Sequence, residues 1–349
     1  QREAAIEHLL SLLQKGMDKG LFGFAYFQQL FEEYVTCASP NQIRAITPSM
    51  SDHSIHLLST RSGARVVAEC VAYGTSKDRK RIMKSLKGFA SKILLESDFA
   101  YIALLQIINL TDDTVTVQKS ILSELLTPQE QNDDTDTDKQ KDKHNKDMNS
   151  SMQPSTIPNL LLSETASKLF LLLLTKTDED RNKYFDPMEL EILKSNPTIL
   201  EEGQEVPTSR KNSNTRRIEL LQYLQKSLIN TCMAHTKDLI CSRSASRVFK
   251  EVYSNFPQHR HQLIQVIATC FQPSTPIKDT HQQSTHDSNT IKTSPLFEHP
   301  VAHLLLKNII LAESAEIAQN NLQSTGHSDS SETASLASEI YSLYKGSLL

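Results

Sequence analysis

Apolar positions fall along the chain in short bursts at helical spacing. Ile82, Leu86, Phe89, Ala90 and Ile93 form one series, and Val117, Ile121, Leu122 and Leu125 another. This is the rhythm of a helix with one buried face. Start signals precede the bursts. In Ser39-Pro40-Asn41-Gln42 a cap residue, a proline at the first helical position and an amide three residues after the cap stand in order. Asp186-Pro187-Met188-Glu189 repeats that arrangement, and Thr75 or Ser76 caps a third helix with Gly74 just past the helix before it. Such residues satisfy the orphan amides of a first turn and fix the chain's entry. The pattern predicts short helices joined by tight corners.

Four polar stretches interrupt it, at 127–159, 203–215, 272–294 and 320–333. Each holds too little apolar surface to offset chain entropy, so all four read as loops or disordered inserts. Between them one signature recurs: a small or polar tripeptide, an apolar run, then a polar turn into another helix. Its anchors are Phe27, Gly63, Ala100, Ala166, Ala245 and Val301, and the first two gaps are 36 and 37 residues. Subtracting the inserts brings the gaps after Ala100 and Ala245 to about 36 or 37 as well, the period of an α-solenoid of helix pairs or triplets. The 79 residues from Ala166 to Ala245 do not resolve as one unit and leave room for a degenerate repeat around Met188–Leu200.

Composition narrows the class. Only 9 of 349 residues are glycine, below the roughly 7% of average usage that turn-rich strand folds draw on. Five scattered cysteines with no C-x-x-C pair disfavour a disulfide scaffold or zinc ribbon and fit a reducing compartment. The longest apolar run, near Leu169–Leu174, is far short of the ~20 residues of a membrane span. No signal peptide is visible, and a chain opening on Gln1 reads as a fragment.

The candidate chemistry is electrostatic. A net charge of −4 gives no global nucleic-acid signature. Locally, Arg61, Arg65, Lys77, Arg79, Lys80, Arg81, Lys84, Lys87 and Lys92 are opposed only by Glu69 and Asp78, a balance of +7. On a helix Lys77, Arg81 and Lys84 share a face, as do Lys80, Lys84 and Lys87. Clustered cations neutralise phosphates and release counterions. Arg243, Arg247 and Lys250 form a second, weaker group, with Arg216 and Arg217 nearby in sequence. His299 and His303 stand four apart, but Pro300 and the lack of a neighbouring Glu or Cys argue against a metal site. No nucleophile elbow, Gly-rich phosphate loop or H-E-x-x-H motif occurs, so neither enzyme nor cofactor is expected. Phe22, Phe24, Phe27 and Phe31 read as core, and the acidic run at Asp133–Asp138 as a plain insert.

Three segments carry a family resemblance: "LFEEYVTCASPNQIRAI", "LLSTRSGARVVAECVAYGTSKDRKRIMKSLKGF" and "FEHPVAHLLLKNIIL". They resemble Pumilio repeats of the Puf-A branch, a divergent Pumilio-homologue family with a CPL domain in its C-terminal half. "RRIELLQYL" and "KDLICSRSASRVFKEV" are similar to that half. The resemblance runs from about Gly20 to Leu311 and implies three-helix repeats, binding of RNA or DNA with little sequence preference, and a nucleolar protein of large-ribosomal-subunit assembly. It also implies pre-ribosomal protein partners and, in one branch, translational repression.

In base-reading repeats of this family the middle helix offers two side chains to a base edge and one that stacks. The matching positions here hold Ala64, Arg65 and Ala68; Tyr101, Ile102 and Leu105; Ser167, Lys168 and Leu171; Ser246, Arg247 and Lys250; and Ala302, His303 and Leu306. No pair of hydrogen-bonding partners for a base edge is present, so the code is absent. The reading is Pumilio-like repeats over 1–126, an insert over 127–159, CPL-type repeats over 160–311 and a helical segment over 312–349. The rival is a HEAT/armadillo-like scaffold for a polypeptide, with the basic helix incidental.

Overall fold

A computed structural model describes residues 2–126, 156–193, 196–271, 296–323 and 335–344. The chain opens with α1 (Arg2–Asp18), α2 (Ala25–Cys37), α3 (Pro40–Met50), α4 (Ser54–Leu57), α5 (Arg61–Tyr73) and α6 (Ser76–Leu86). It continues through α7 (Ala90–Glu96), α8 (Tyr101–Leu110), α9 (Thr114–Val117) and α10 (Ser123–Leu126). Next come α11 (Ile157–Leu162), α12 (Ser167–Leu174), α13 (Asp178–Arg181), α14 (Pro187–Ile192), and strands β1 (Thr198–Glu201) and β2 (Gln204–Pro207). The last helices are α15 (Ser213–Ala234), α16 (Thr236–Cys241), α17 (Arg243–Asn255), α18 (Arg260–Cys270), α19 (Pro300–Gln323) and α20 (Leu336–Tyr344).

Two compact units result: Gln1–Leu160 with Phe185–Leu224, and Leu161–Tyr184 with Gln225–Leu349. In the first, α2, α5 and α8 pack side by side as the middle helices of successive repeats; in the second, α12, α17 and α19 do so. Every repeat anchor read from the sequence falls in or at the start of one of these helices. The fold is therefore the all-α helical repeat that the period indicates.

Local signals act where they were expected. Ser39 accepts from the Gln42 amide while Gln42 Oε1 accepts from the Ser39 amide at 2.8 Å. Thr75, not Ser76, caps α6 and forms the same box with Asp78. Asp186 and Glu189 form a third box at α14, with Pro187 in its first turn. The C-terminal ends of the middle helices share a different device. Arg79 donates from Nε to Val71 O at 2.8 Å and from Nη2 to Ala72 O at 3.1 Å. Arg260 does the same at α17, to Tyr253 O at 3.0 Å and Ser254 O at 3.5 Å. Arg216 Nε reaches Asn109 O of α8 at 3.0 Å. These carbonyls have no intrahelical donor and carry the negative end of the helix dipole, so a guanidinium satisfies both needs.

Two expectations are corrected. Residues 203–215 do not form an unpacked insert. β1 and β2 pair antiparallel from Thr198↔Pro207 to Glu201↔Gln204. Their turn uses Glu202 at φ 51° and Gly203 at φ 80°, the paired left-handed residues of a tight hairpin. Beyond it Thr208 is buried, donating to Ala72 O at 2.7 Å, while Asp112 accepts from the Arg210 and Lys211 amides at 2.8 and 3.1 Å. A polar stretch can pack when its partners are backbone and charge rather than apolar surface. This also replaces the degenerate repeat anticipated around Met188–Leu200. Secondly, the insert proposed for 127–159 ends earlier, because Ile157 is fully buried and opens α11. The rest of that insert, 272–294 and most of 320–333 lie outside the described residues.

Candidate nucleic-acid interface

The basic helix α6 presents a periodic face. Asp78, Arg79, Ile82, Met83 and Leu86 are buried, which turns Lys77, Lys80 and Lys84 outward, with Lys87 exposed just beyond the helix. Lys80 pairs with Asp113 at 2.8 Å, and Arg81 makes a two-pronged contact with Asp52, its Nε donating at 3.0 Å. Lys77, Lys84 and Lys87 have no carboxylate within 4 Å among the described residues. These three are the uncompensated cations of the face.

Arg79 does not belong to it. It is 1% exposed and spends its donors on Val71 O, Ala72 O, Thr208 O and Thr208 Oγ1. Burial holds its guanidinium down at about 10. Arg79 shares the face of Ile82, Met83 and Leu86, so the helical period turns it into the core. Arg216 is removed likewise: it is 2% exposed and holds Asn109 O and Asp112.

Arg61 and Arg65 do not extend the α6 patch. Arg61 is exposed, and Arg65 faces Glu32 at 3.5 Å and Glu191 at 3.8 Å. Both line a cavity of about 270 Å³ with Asp98, Tyr101, Asp186 and Glu189. None of these residues is a partner of the α6 cations. The carboxylates around Arg61 and Arg65 are what the one-dimensional charge count could not include.

The matching face of α8 is closed. Tyr101, Ile102 and Leu105 are buried, and α14 packs on both α5 and α8. The Tyr101 hydroxyl donates to Glu189, and Gln106 Nε2 donates to Ile192 O at 2.9 Å. Burial and then the Glu189 bond push the Tyr101 hydroxyl well above the usual phenol range. The signal for this closure was in the sequence: a helix with apolar residues on every side, interrupted only by Gln106 and Asn109, is a buried helix. Ser167, Lys168 and Leu171 of α12 are buried too.

In the second unit, Arg243 is exposed and Arg247 and Lys250 are half-buried along α17. Arg247 pairs with Glu164 at 3.1 Å and Lys250 with Glu251 at 3.8 Å. With Lys183 they line a groove of about 520 Å³ whose other wall is Val301, Leu304 and Leu305 of α19. Of the four phenylalanines near the N-terminus, Phe22, Phe27 and Phe31 are core, but Phe24, at the N-cap of α2, is 63% exposed. Cys70 and Cys232 are buried, which raises each thiol to about 12 and keeps it protonated.

Rows of middle helices repeating at this period, without base-reading pairs, define a Pumilio-like helical-repeat fold. Comparison with known proteins agrees. Residues 163–322 match the CPL (NUC119) domain family. Human Pumilio homolog 3 is 23% identical over 314 residues, covering 89% of this chain and 38% of the relative. Yeast (Saccharomyces cerevisiae) Pumilio homology domain family member 6 is 30% identical over 120 residues, covering 34% of this chain and 18% of the relative. The crystal structure of human Puf-A superposes with a TM-score of 0.67 at 20% identity, covering 98% of this chain and 54% of that one. Human Puf-A in complex with DNA gives 0.67 at 19%, covering 96% and 53%. The CPL family model thus matches residues 163–322, and over most of its length the chain is similar to Pumilio-homology proteins of the Puf-A type. It spans about two-fifths of the length of its Pumilio homolog 3 relatives.

Proposed function

We propose that this chain binds RNA or DNA through phosphates, with little regard to base sequence, as part of a nucleolar protein serving assembly of the large ribosomal subunit. The observation that carries the binding is the trio Lys77, Lys84 and Lys87, exposed on α6 and at its C-cap and without a carboxylate partner among the described residues. A Puf-A relative that crystallises with DNA supports the ligand class. The absence of a reading code supports indifference to sequence. Each good bidentate base contact is worth roughly 1–3 kcal/mol of discrimination, and the middle helices offer no pair to make one. The assembly role, the nucleolar site and the pre-ribosomal partners rest on the family resemblance alone.

Each phosphate contact contributes about −0.7 to the slope of log affinity against log salt for single strands. Replacing Lys77, Lys84 and Lys87 by Ala should flatten that slope by about two units and weaken unrelated RNAs alike. Exposed Lys→Ala changes shift stability by about 0.5 kcal/mol or less, so the fold survives. Filter binding at several salt concentrations, with circular dichroism as a folding control, reads the result. An unchanged slope in the folded triple variant removes α6 from the interface.

A further inference from the structure

Helices α5 and α17 begin with the same frame. α5 reads Arg61-Ser-Gly-Ala-Arg65-Val-Val-Ala-Glu69 and α17 reads Arg243-Ser-Ala-Ser-Arg247-Val-Phe-Lys-Glu251. Both follow a hydroxyl cap, Thr60 or Ser242, that accepts from the third amide of the helix. Both are followed by an arginine that holds the carbonyls at the helix end. The cavity at Arg61 and Arg65 opens between α5 and the start of α8, and the groove at Arg243 and Arg247 between α17 and the start of α19. The two sites correspond.

They differ in occupancy. Over α5 lies the chain's own segment Phe185-Asp-Pro-Met-Glu-Leu-Glu-Ile-Leu193, a short helix with three carboxylates in six residues, Asp186, Glu189 and Glu191. Phe185, Ile192 and Leu193 are buried as its apolar anchors. Glu191 stands 3.8 Å from Arg65, and Asp186 and Glu189 line the cavity with Arg61. Over α17 the described chain places only Lys183 and Tyr184 at the groove's edge, Tyr184 donating to Glu251 at 2.6 Å, and no acidic segment. There Ala68 is replaced by Lys250, which adds a cation, and Leu304 stands 56% exposed on the facing wall.

We infer that the α17–α19 groove is a docking site for a short acidic, helix-forming peptide of a partner protein, with carboxylates for Arg243, Arg247 and Lys250 and apolar residues for Val301, Leu304 and Leu305. The first unit displays the complex in cis: the same arginine pair, covered by a segment of that chemistry. The groove's existing pairs do not block the exchange. Glu164 and Asp180, the partners of Arg247 and Lys183, have side chains 60% and 35% exposed, and such pairs contribute only about 0–1 kcal/mol; Lys250 keeps its neighbour Glu251, which is 15% exposed, at 3.8 Å. The facing wall of Val301, Leu304 and Leu305 favours a peptide, whose apolar side chains it would cover; Tyr184 and the two guanidiniums are surfaces on which bases also stack, so RNA is the competitor in the test. The inference is independent of phosphate binding by α6.

The probe is a fluorescent, end-blocked peptide with the sequence of residues 185–193, titrated into the full chain and read by anisotropy. Saturable binding is expected, weakened at least tenfold by Arg243→Gln with Arg247→Gln, and several-fold by Leu304→Ser. Arg61→Gln with Arg65→Gln should leave it unchanged, because that face is already covered. The decisive arm is a charge swap: Arg247→Glu should lose the natural peptide and regain one carrying Glu191→Lys. No saturable binding to the wild type, or equal binding by the Arg243/Arg247 variant, overturns the inference. So does competition in which mixed-sequence RNA occupies the groove and the peptide does not.

Discussion

The repeats built on α5 and α17 share a frame and part ways on either side of it. Cap, arginine clamp and apolar rows are the same in both. α5 is small on its packed faces, with Gly63, Ala64 and Ala68, and carries a cover; α17 has Ala245, Ser246 and Lys250 at those places and stays open. What makes a repeat fold is thus separable from what its outer ridge meets. The same arginine pair is an internal fastening in one unit and a lining of an open groove of about 520 Å³ in the other.

The arginine clamps offer the harshest test of that separation. Arg79 is buried and also holds Thr208, joining α6 to the loop after the hairpin. Arg260 caps α17 the same way, but its side chain is 23% exposed and pairs with Glu316 at 2.7 Å. Removing Arg79 strands several buried acceptors and leaves a void, a loss of about 3–5 kcal/mol by analogy with broken buried charge networks. Arg260→Ala should cost about 1–2 kcal/mol, since water replaces part of what is lost. Urea unfolding of Arg79→Ala and Arg260→Ala measures both. Equal losses would mean that the clamp, and not its burial, sets the energy.

A smaller difference is expected at the third helical residue. At Gly63 an added Cβ would fall inside the van der Waals shell of the Leu57 carbonyl and 2.6 Å from Gln28 Oε1. Gln28 is buried and donates to Phe22 O at 2.7 Å, His56 O at 3.0 Å and Ser59 Oγ at 2.8 Å, so it has no room to yield. Gly63→Ala should cost about 2–3 kcal/mol by overpacking. The reverse change in the other repeat, Ala245→Gly, should cost about 1 kcal/mol through backbone entropy. Thermal melting of the two variants decides, and a neutral Gly63→Ala would show that the close approach of α5 to α4 is not needed.

These contrasts also mark what the sequence could disclose. Period, caps and middle helices were legible because each depends on residues within a turn or two. The burial of Arg79 was half legible. Its place on the Ile82, Met83 and Leu86 face is a local fact, but its partner Thr208 lies 129 residues away. The counted balance of +7 failed for the same reason, since Asp52, Asp113 and Glu191 reach the cations only through the fold. The cover over α8 was announced by the Tyr101–Leu110 helix, apolar on every side apart from Gln106 and Asn109, yet nothing local identified α14 as what covers it.

The mildest test concerns acid. Asp113 accepts from Lys80, then from the Thr116 hydroxyl and amide, and these bonds lower its carboxyl to about 2. Glu316 is lowered chiefly by the hydrogen bond from Arg260, and so joins α18 to α19 as Lys80 and Asp113 join α6 to the start of α9. A folded-state value below the unfolded ~3.9 adds stability that is fully present above about pH 4. It is lost as pH falls from about 4 through about 2. The side chains of Asp113 and Lys80 are 37% and 55% exposed, so solvent screening holds the contribution under about 1 kcal/mol. Asp113→Asn should therefore lower the urea midpoint of the first unit slightly at neutral pH and converge with the wild type near pH 2. Raising salt at neutral pH should narrow the same gap, because an exposed pair is screened. Glu316→Gln should leave the first unit's acid limb untouched and soften only that of the second. Convergence in the wrong unit, or a gap that persists at pH 2, would show that Asp113 acts through its capping bonds rather than its charge.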